Sequence, residues 1–227
     1  MPLSDSYSAC TISSVNKRSL LAVGRAASAL LVLVAIVVQI NVNIGKGTFN
    51  PTRFFAFFTI LSNLFGAGLF LFLATRWRSA RSPTFDLLRG GSVVYLTVTF
   101  IVVVLLLSGA DLQVAVPWVD TVLHKIFPIY VVLDWLIDPP ASHLTLRSAV
   151  RWLVYPLVWL VFTLIRGAFD NWYPYPFLNP ANGGYGTVAF FCVAILVGFL
   201  VISALTVVAG NALGGRGRPP HLARDVQ

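Results

Sequence analysis

The sequence predicts an all-α polytopic membrane protein: a bundle of six transmembrane helices with both termini cytoplasmic. Three observations carry this reading. Of 227 residues, 57% are hydrophobic and only 11% are Asp, Glu, Lys or Arg, less than half the roughly 25% charged fraction of a soluble domain. The apolar residues gather in six runs near the ~20 residues that cross a bilayer. The basic residues fall between those runs with a one-sided bias. This composition excludes an ordinary cytosolic enzyme and a disordered chain. Two cysteines are too few for a disulfide scaffold. The net charge of +8 does not require nucleic acid, which would need a basic face on a soluble fold.

The first run, 20–40, follows Lys17 and Arg18. It is too long for a signal-peptide core, and no clean small-x-small cleavage site follows in 39–45, so it reads as a retained span. The second run is 54–74. A basic, polar stretch at 77–89 reads as an inner loop before the third run, 92–108. The fourth, 117–137, starts at Pro117 and contains Pro128; the fifth, 149–166, ends at Arg166. The stretch 171–186 is rich in Pro, Gly and aromatics and reads as a structured outer loop, with Trp172, Tyr173 and Tyr175 suited to the membrane interface. The sixth run is 186–210. Gly183-Gly184-Tyr185-Gly186 is similar to part of a potassium filter, but no Thr-Val precedes it and no pore helix leads to it. A turn into the sixth span is the better reading. The domain plan is therefore a cytoplasmic tail at 1–19, a six-span membrane domain at 20–210 and a disordered basic tail at 211–227.

Charge sets the orientation. Lys17, Arg18, Arg76, Arg78, Arg81, Arg89, Arg147, Arg151, Arg216, Arg218 and Arg224 all belong to alternate segments that share one side, against Lys46 and Arg53 on the other. Eleven against two makes the first side cytoplasmic and supports six crossings, because one lost span would scramble the alternation.

Familiar soluble-enzyme motifs are missing: there is no nucleotide loop, no G-x-S-x-G and no H-E-x-x-H. His124, His143 and His221, with Cys10 and Cys192, show no metal spacing. No metal or cofactor is expected, and a disulfide between Cys10 in the inner tail and Cys192 in a span is not. The chain has no Glu and eight Asp, which disfavours a two-carboxylate mechanism.

Polar groups within spans are costly, at about 2.5–3.5 kcal/mol for an ionised one, and are candidates for function. Thr59, Ser62 and Asn63 share one helix face by their i, i+3, i+4 spacing. They read either as helix-packing residues, a theme continued by Gly66 and Gly68, or as part of a site. Pro128 lies four residues after His124, so the His124 carbonyl loses its helical partner and a kink follows. Such a kink is tolerated facing a polar interior. His124 is then either an inert, hydrogen-bonded interface residue or a functional base. Asp120, at i−4, is placed to hold its imidazole; Lys125 snorkels to the headgroups. Asp134 and Asp138 lie toward the inner end, with Arg147 or Arg151 as expected partners. Arg166 and Asp170, at i+4, form either a plain ion pair or a site for a lipid carboxylate or phosphate. Thr59 and His124 fall at similar depths, about 7–8 Å and about 10 Å from the outer ends of their spans. A hydroxyl and an imidazole at one depth suit a nucleophile and its general base.

At these residues the chain resembles a known family. Phe58-Thr59-Ile60-Leu61-Ser62-Asn63-Leu64, then His124-Lys125-Ile126-Phe127-Pro128 running to Leu133-Asp134-Trp135-Leu136, then Tyr155-Pro156 through Arg166-Gly167 to Trp172-Tyr173-Pro174-Tyr175-Pro176-Phe177-Leu178, are similar to the bacterial relatives of the androgen-induced and androgen-dependent six-span membrane proteins. Animal members hydrolyse fatty acid esters of hydroxy fatty acids with a Thr and a His. The resemblance implies Thr59 as nucleophile and His124 as base. Ser62, Asn63 and Arg166 are then candidate substrate-binding residues, with Asp120 and Pro128 in support. The expected partners are membrane lipids and a lipid ester substrate in the cell membrane, and no nucleic acid. The alternative is a non-catalytic lipid-binding or transport-related membrane protein.

Overall fold

The computed structural model describes residues 3–79, 82–107 and 116–214, with the backbone alone for 3–16. Prolines and short polar caps set most of the helix starts. Helix α1 covers Leu3–Gly45. The single turn α2, Pro51–Phe54, is capped by Asn50, whose side chain accepts the Arg53 N–H, with Pro51 in the first helical position. Helix α3 covers Phe58–Thr75. Ser82 caps α4, Pro83–Leu106, by accepting the Thr84 N–H. Helix α5, Pro117–Thr121, runs into a π turn at Val122–Ile126 and on into α6, Phe127–Ile137. A Thr145–Ser148 capping box opens α7, Leu146–Asp170, and Asn171 ends it in the left-handed region at φ 52°. Two short 3₁₀ turns follow. Gly183 and Gly184, at φ 145° and 78°, then turn the chain into α8, Gly184–Gly214; a Cβ strains this backbone, so glycine fits the turn.

Among the described residues, five helices, α1, α3, α4, α7 and α8, are long and apolar enough to cross a membrane. Their outer faces expose large apolar side chains, such as Val158 and Phe162 on α7 and Val201 and Leu205 on α8. Such faces suit lipid, and the chain is a multi-span helical membrane protein. The expected fourth span, 117–137, is divided among α5, the π turn and α6, so no single helix there reaches crossing length. Pro128 is the physical reason, since it withholds one N–H from the ladder.

Several boundaries move. Helix α1 begins at Leu3, well before residue 20. Helix α8 runs to Gly214, and the tail expected to be disordered lies, from 215, outside the described residues. The larger difference is in α4, which starts at Pro83 rather than 92. Asp86 and Arg89, read as loop charges, are 1% and 3% exposed.

They are buried because the charges meet. Arg25 binds Asp134 through Nε at 2.7 Å and Asp138 through Nη2 at 2.6 Å. Arg89 Nη2 binds Asp134 Oδ2 at 2.9 Å and donates to the Asp138 carbonyl at 2.7 Å. The two aspartates therefore pair with Arg25 and Arg89, not with Arg147 or Arg151. Asp86 Oδ2 accepts from the Ala141 N–H, the Ser142 N–H and the Ser142 hydroxyl at 2.9, 3.0 and 2.9 Å, fixing the loop after α6. One network ties α1, α4 and α6 at one end of the bundle. At the opposite end lie the last turns of α1, the 48–57 segment, the π turn and the 171–175 loop, which together wall a cavity.

Candidate functional site

That cavity, of about 140 Å³, is lined by Thr59, His124, Tyr175, Trp172 and Arg53, with Gln39 and Asn43 from α1. Thr59 lies in the first turn of α3, because the chain breaks at 55–57 before that helix begins. It is buried, and no side chain of the N-cap residue Phe57 serves the free N–H groups there. The phenol of Tyr175 does so instead. Its Oη accepts the Thr59 N–H at 3.3 Å and lies 3.3 Å from Thr59 Oγ1. Tyr175 is itself 6% exposed, and burial pushes its phenol pKa up from the ordinary value, which keeps it a neutral donor and acceptor.

His124 is held by the π turn. Its Nδ1 is 2.7 Å from Asp120 Oδ1. A carboxylate at Nδ1 favours the tautomer with the proton there, leaving the Nε2 lone pair free. The π turn is where Pro128 acts. The Phe127 N–H goes to the Val122 carbonyl, one residue further back than in an α-helix, and Pro128 has no N–H. The Leu123 carbonyl is thus left without either usual helical donor. Asn63 Nδ2 supplies one, at 3.1 Å, and also donates to the Thr59 carbonyl at 2.8 Å. One buried amide therefore clamps the turn bearing Thr59 to the turn bearing His124.

Thr59 and Tyr175 also line a second cavity, of about 80 Å³. Its other walls are almost wholly apolar, including Val102, Leu157, Leu160, Ile195, Leu196 and Phe199, with Cys192 among them. The Thr59 hydroxyl stands at the boundary between a polar chamber containing an imidazole and an apolar one.

The structure brings Thr59, His124 and Asp120 to one place. No hydrogen bond joins Thr59 to His124; the Thr59 hydroxyl is bonded to Tyr175. Ser62 and Asn63 are completely buried and line neither cavity. Ser62 neighbours the Tyr155 phenol, and Asn63 acts as the clamp. Arg166 also lies outside both linings. It donates to the Thr52 carbonyl at 2.6 Å, pairs with Asp170 at 3.1 Å and lies 5.4 Å from the centre of the Trp172 ring. The cation of the polar cavity is Arg53, also over Trp172 at 5.3 Å.

Tyr175 reads from the sequence as an interface aromatic and Arg53 as an outer-side charge, and neither they nor Gln39 and Asn43 are site residues by that reading. Gln39 and Asn43 did carry a signal: they sit at i, i+4, and Gln39 Nε2 donates to Asn43 Oδ1 at 2.9 Å. Among the described residues, no group of three or more His, Cys, Asp or Glu side chains is placed to hold a metal ion. No family model, curated protein or solved structure matches the chain.

Proposed function

We propose that this chain is an intramembrane hydrolase of lipid esters, of the kind its resemblance to the androgen-induced six-span proteins suggests. The observation that carries the reading is the position of Thr59, on the shared wall of a polar cavity with His124 and an apolar cavity suited to an acyl chain. Thr59 Oγ1 attacks the ester carbonyl while His124 Nε2 takes its proton. The tetrahedral intermediate collapses, the C–O bond of the alcohol breaks, and His124 returns the proton to the departing oxygen. Water, deprotonated by the same nitrogen, then cleaves the acyl-threonine, releasing the acid and restoring Thr59. Asp120 fixes and stabilises the imidazolium without touching substrate. Tyr175 positions the hydroxyl. Arg53 takes over the part of cavity cation that sequence reasoning gave to Arg166.

The same reading includes six crossings in the cell membrane. Helices α5 and α6 with the π turn between them make 21 residues, about 30 Å of helical path and about the thickness of the hydrocarbon core. With that crossing counted, the basic residues alternate as both cytoplasmic termini require. Two reporters fused after Gly214, one active only in the cytoplasm and one active only outside, test this: activity of the first is expected, and activity of the second alone overturns it.

The chemistry is tested with a hydroxyl-directed fluorophosphonate, mapped by mass spectrometry. Modification at Thr59 that vanishes in H124A supports the mechanism. No labelling of Thr59, with ester hydrolysis also absent, favours the second reading, a lipid-binding protein without catalysis. One observation speaks for that reading: the Thr59 hydroxyl is bonded to Tyr175 and not to His124.

A further inference from the structure

At the opposite end of the bundle from Thr59 lies a larger cavity, of about 540 Å³. The middle of α1, the end of α3, the start of α4, the loop after α6 and the end of α8 all contribute walls. Four guanidiniums line it, from Arg18, Arg25, Arg76 and Arg89, against two carboxylates, from Asp86 and Asp138. The carboxylates are committed. Asp138 binds Arg25, and one oxygen of Asp86 takes three donors from Ala141 and Ser142. Asp134, beneath the cavity, is shared by Arg25 and Arg89. Arg25 and Arg89 are therefore neutralised and fixed in place. Arg18 and Arg76, both exposed, have no carboxylate partner among the described residues. Arg76 lies against the Phe72 ring, 5.3 Å from its centroid.

The unpaired positive charge thus sits at the rim, on Arg18 and Arg76, over a floor in which Arg25 and Arg89 are held by Asp86, Asp134 and Asp138. Leu21, Leu73 and Phe85 complete the wall, and the exposed Leu20 and Phe72 flank it, so the rim meets the apolar surface of the bundle. Guanidinium groups bind phosphate oxygens through paired N–H donors. Basic pockets between helix ends at a membrane surface suit anionic headgroups.

We propose that this cavity is a binding site for an anionic phosphate ester, held between Arg18 and Arg76, with the headgroup of an acidic phospholipid as the chemistry it fits. The site is separate from the Thr59 cavity and does not rest on the hydrolase reading.

Native mass spectrometry of the full chain in detergent tests it, with dioleoylphosphatidylglycerol, dioleoylphosphatidylcholine or inorganic phosphate as probes. The expected result is at least tenfold tighter retention of the glycerol lipid than of the choline lipid. That preference falls to near unity in R18Q/R76Q and survives in R18K/R76K. Competition by millimolar inorganic phosphate assigns the shared chemistry to a soluble ion; preference undisturbed by phosphate assigns it to the lipid. R147Q/R151Q, with basic residues outside the cavity lining removed, keeps the preference. Equal retention of the two lipids by the wild type together with no phosphate binding overturns the proposal. So does a preference undiminished in R18Q/R76Q, or lost equally in R147Q/R151Q. Should R18Q/R76Q fail to fold, the wild-type preference and its survival in R18K/R76K still decide.

Discussion

The Asn63 side-chain amide donates to the Leu123 carbonyl at 3.1 Å, linking α3 to a carbonyl that the π turn has stripped of its helical donors. The same nitrogen donates to the Thr59 carbonyl. Replacing Asn63 by Leu keeps the volume close but leaves the buried Leu123 carbonyl, which has no helical donor, without this one. An unsatisfied buried group costs about 1–3 kcal/mol. N63L is expected to lower the thermal unfolding midpoint in detergent, and N63D to lower it more, since an ionised carboxylate has no hydrogen to offer. A midpoint unchanged in both variants would show that the clamp contributes nothing.

The Thr59, His124 and Tyr175 variants separate chemistry from scaffold. T59A and H124A are each expected to reduce hydrolysis of a fatty acid ester by at least about 10², the scale of a lost nucleophile or general base. T59S keeps a hydroxyl and retains measurable activity. Y175F removes one hydrogen-bonding group worth about 1 kcal/mol, a rate loss of about fivefold. D120N keeps a side chain of the same shape at His124 Nδ1 but loses its charge, so its effect falls on kcat more than on KM. Undiminished rates in both T59A and H124A sink the mechanism.

Much of the fold is legible in the sequence because membrane physics is one-dimensional: apolar length and basic alternation place the crossing helices α1, α3, α4, α7 and α8. Asp120 is also legible, since i, i+4 spacing brings it to His124 on any helix. Partners across helices are not. Asp134 binds Arg25 and Arg89, respectively 109 and 45 residues away, and no local pattern favours these over Arg147 or Arg151. Arg89 illustrates the cost of reading charge as exposure: it looks like loop punctuation and lies in a helix, 3% exposed. Tyr175 reads as an interface aromatic, and only the break before α3 shows the helix end that its phenol serves.

The buried ion network gives a sharper stability test than any surface charge. Removing one partner of a buried pair leaves a desolvated charge and typically costs about 3–5 kcal/mol. Arg89 binds Asp134 and the Asp138 carbonyl and lies over the Trp135 ring at 5.4 Å. R89M is therefore expected to lower the unfolding midpoint strongly, whereas R151Q leaves it nearly unchanged. Combining R89M with D134N removes an opposing charge as well and recovers part of the loss. Scanning fluorimetry in detergent measures all three, and equal midpoints for R89M and R151Q would deny the network a structural role.

The apolar cavity predicts which end of a substrate goes where. Cys192 lines it beside Ile195 and Leu196, on the far side of the boundary marked by Thr59. With Cys10 replaced by Ser, Cys192 is the remaining thiol, so a bulky maleimide can be directed into the cavity wall. Each buried methylene contributes about 0.8 kcal/mol, and a filled cavity withdraws that contribution from long acyl chains first. The labelled protein is expected to lose hydrolysis of long-chain esters while retaining that of acetate esters, whose acyl group needs only the room beside Thr59. C192W shows the same selectivity without reagent. Comparing rates across a series of acyl lengths checks the assignment. A uniform loss at every length would place the block at Thr59 itself, and no loss at any length would mean that the acyl chain lies elsewhere.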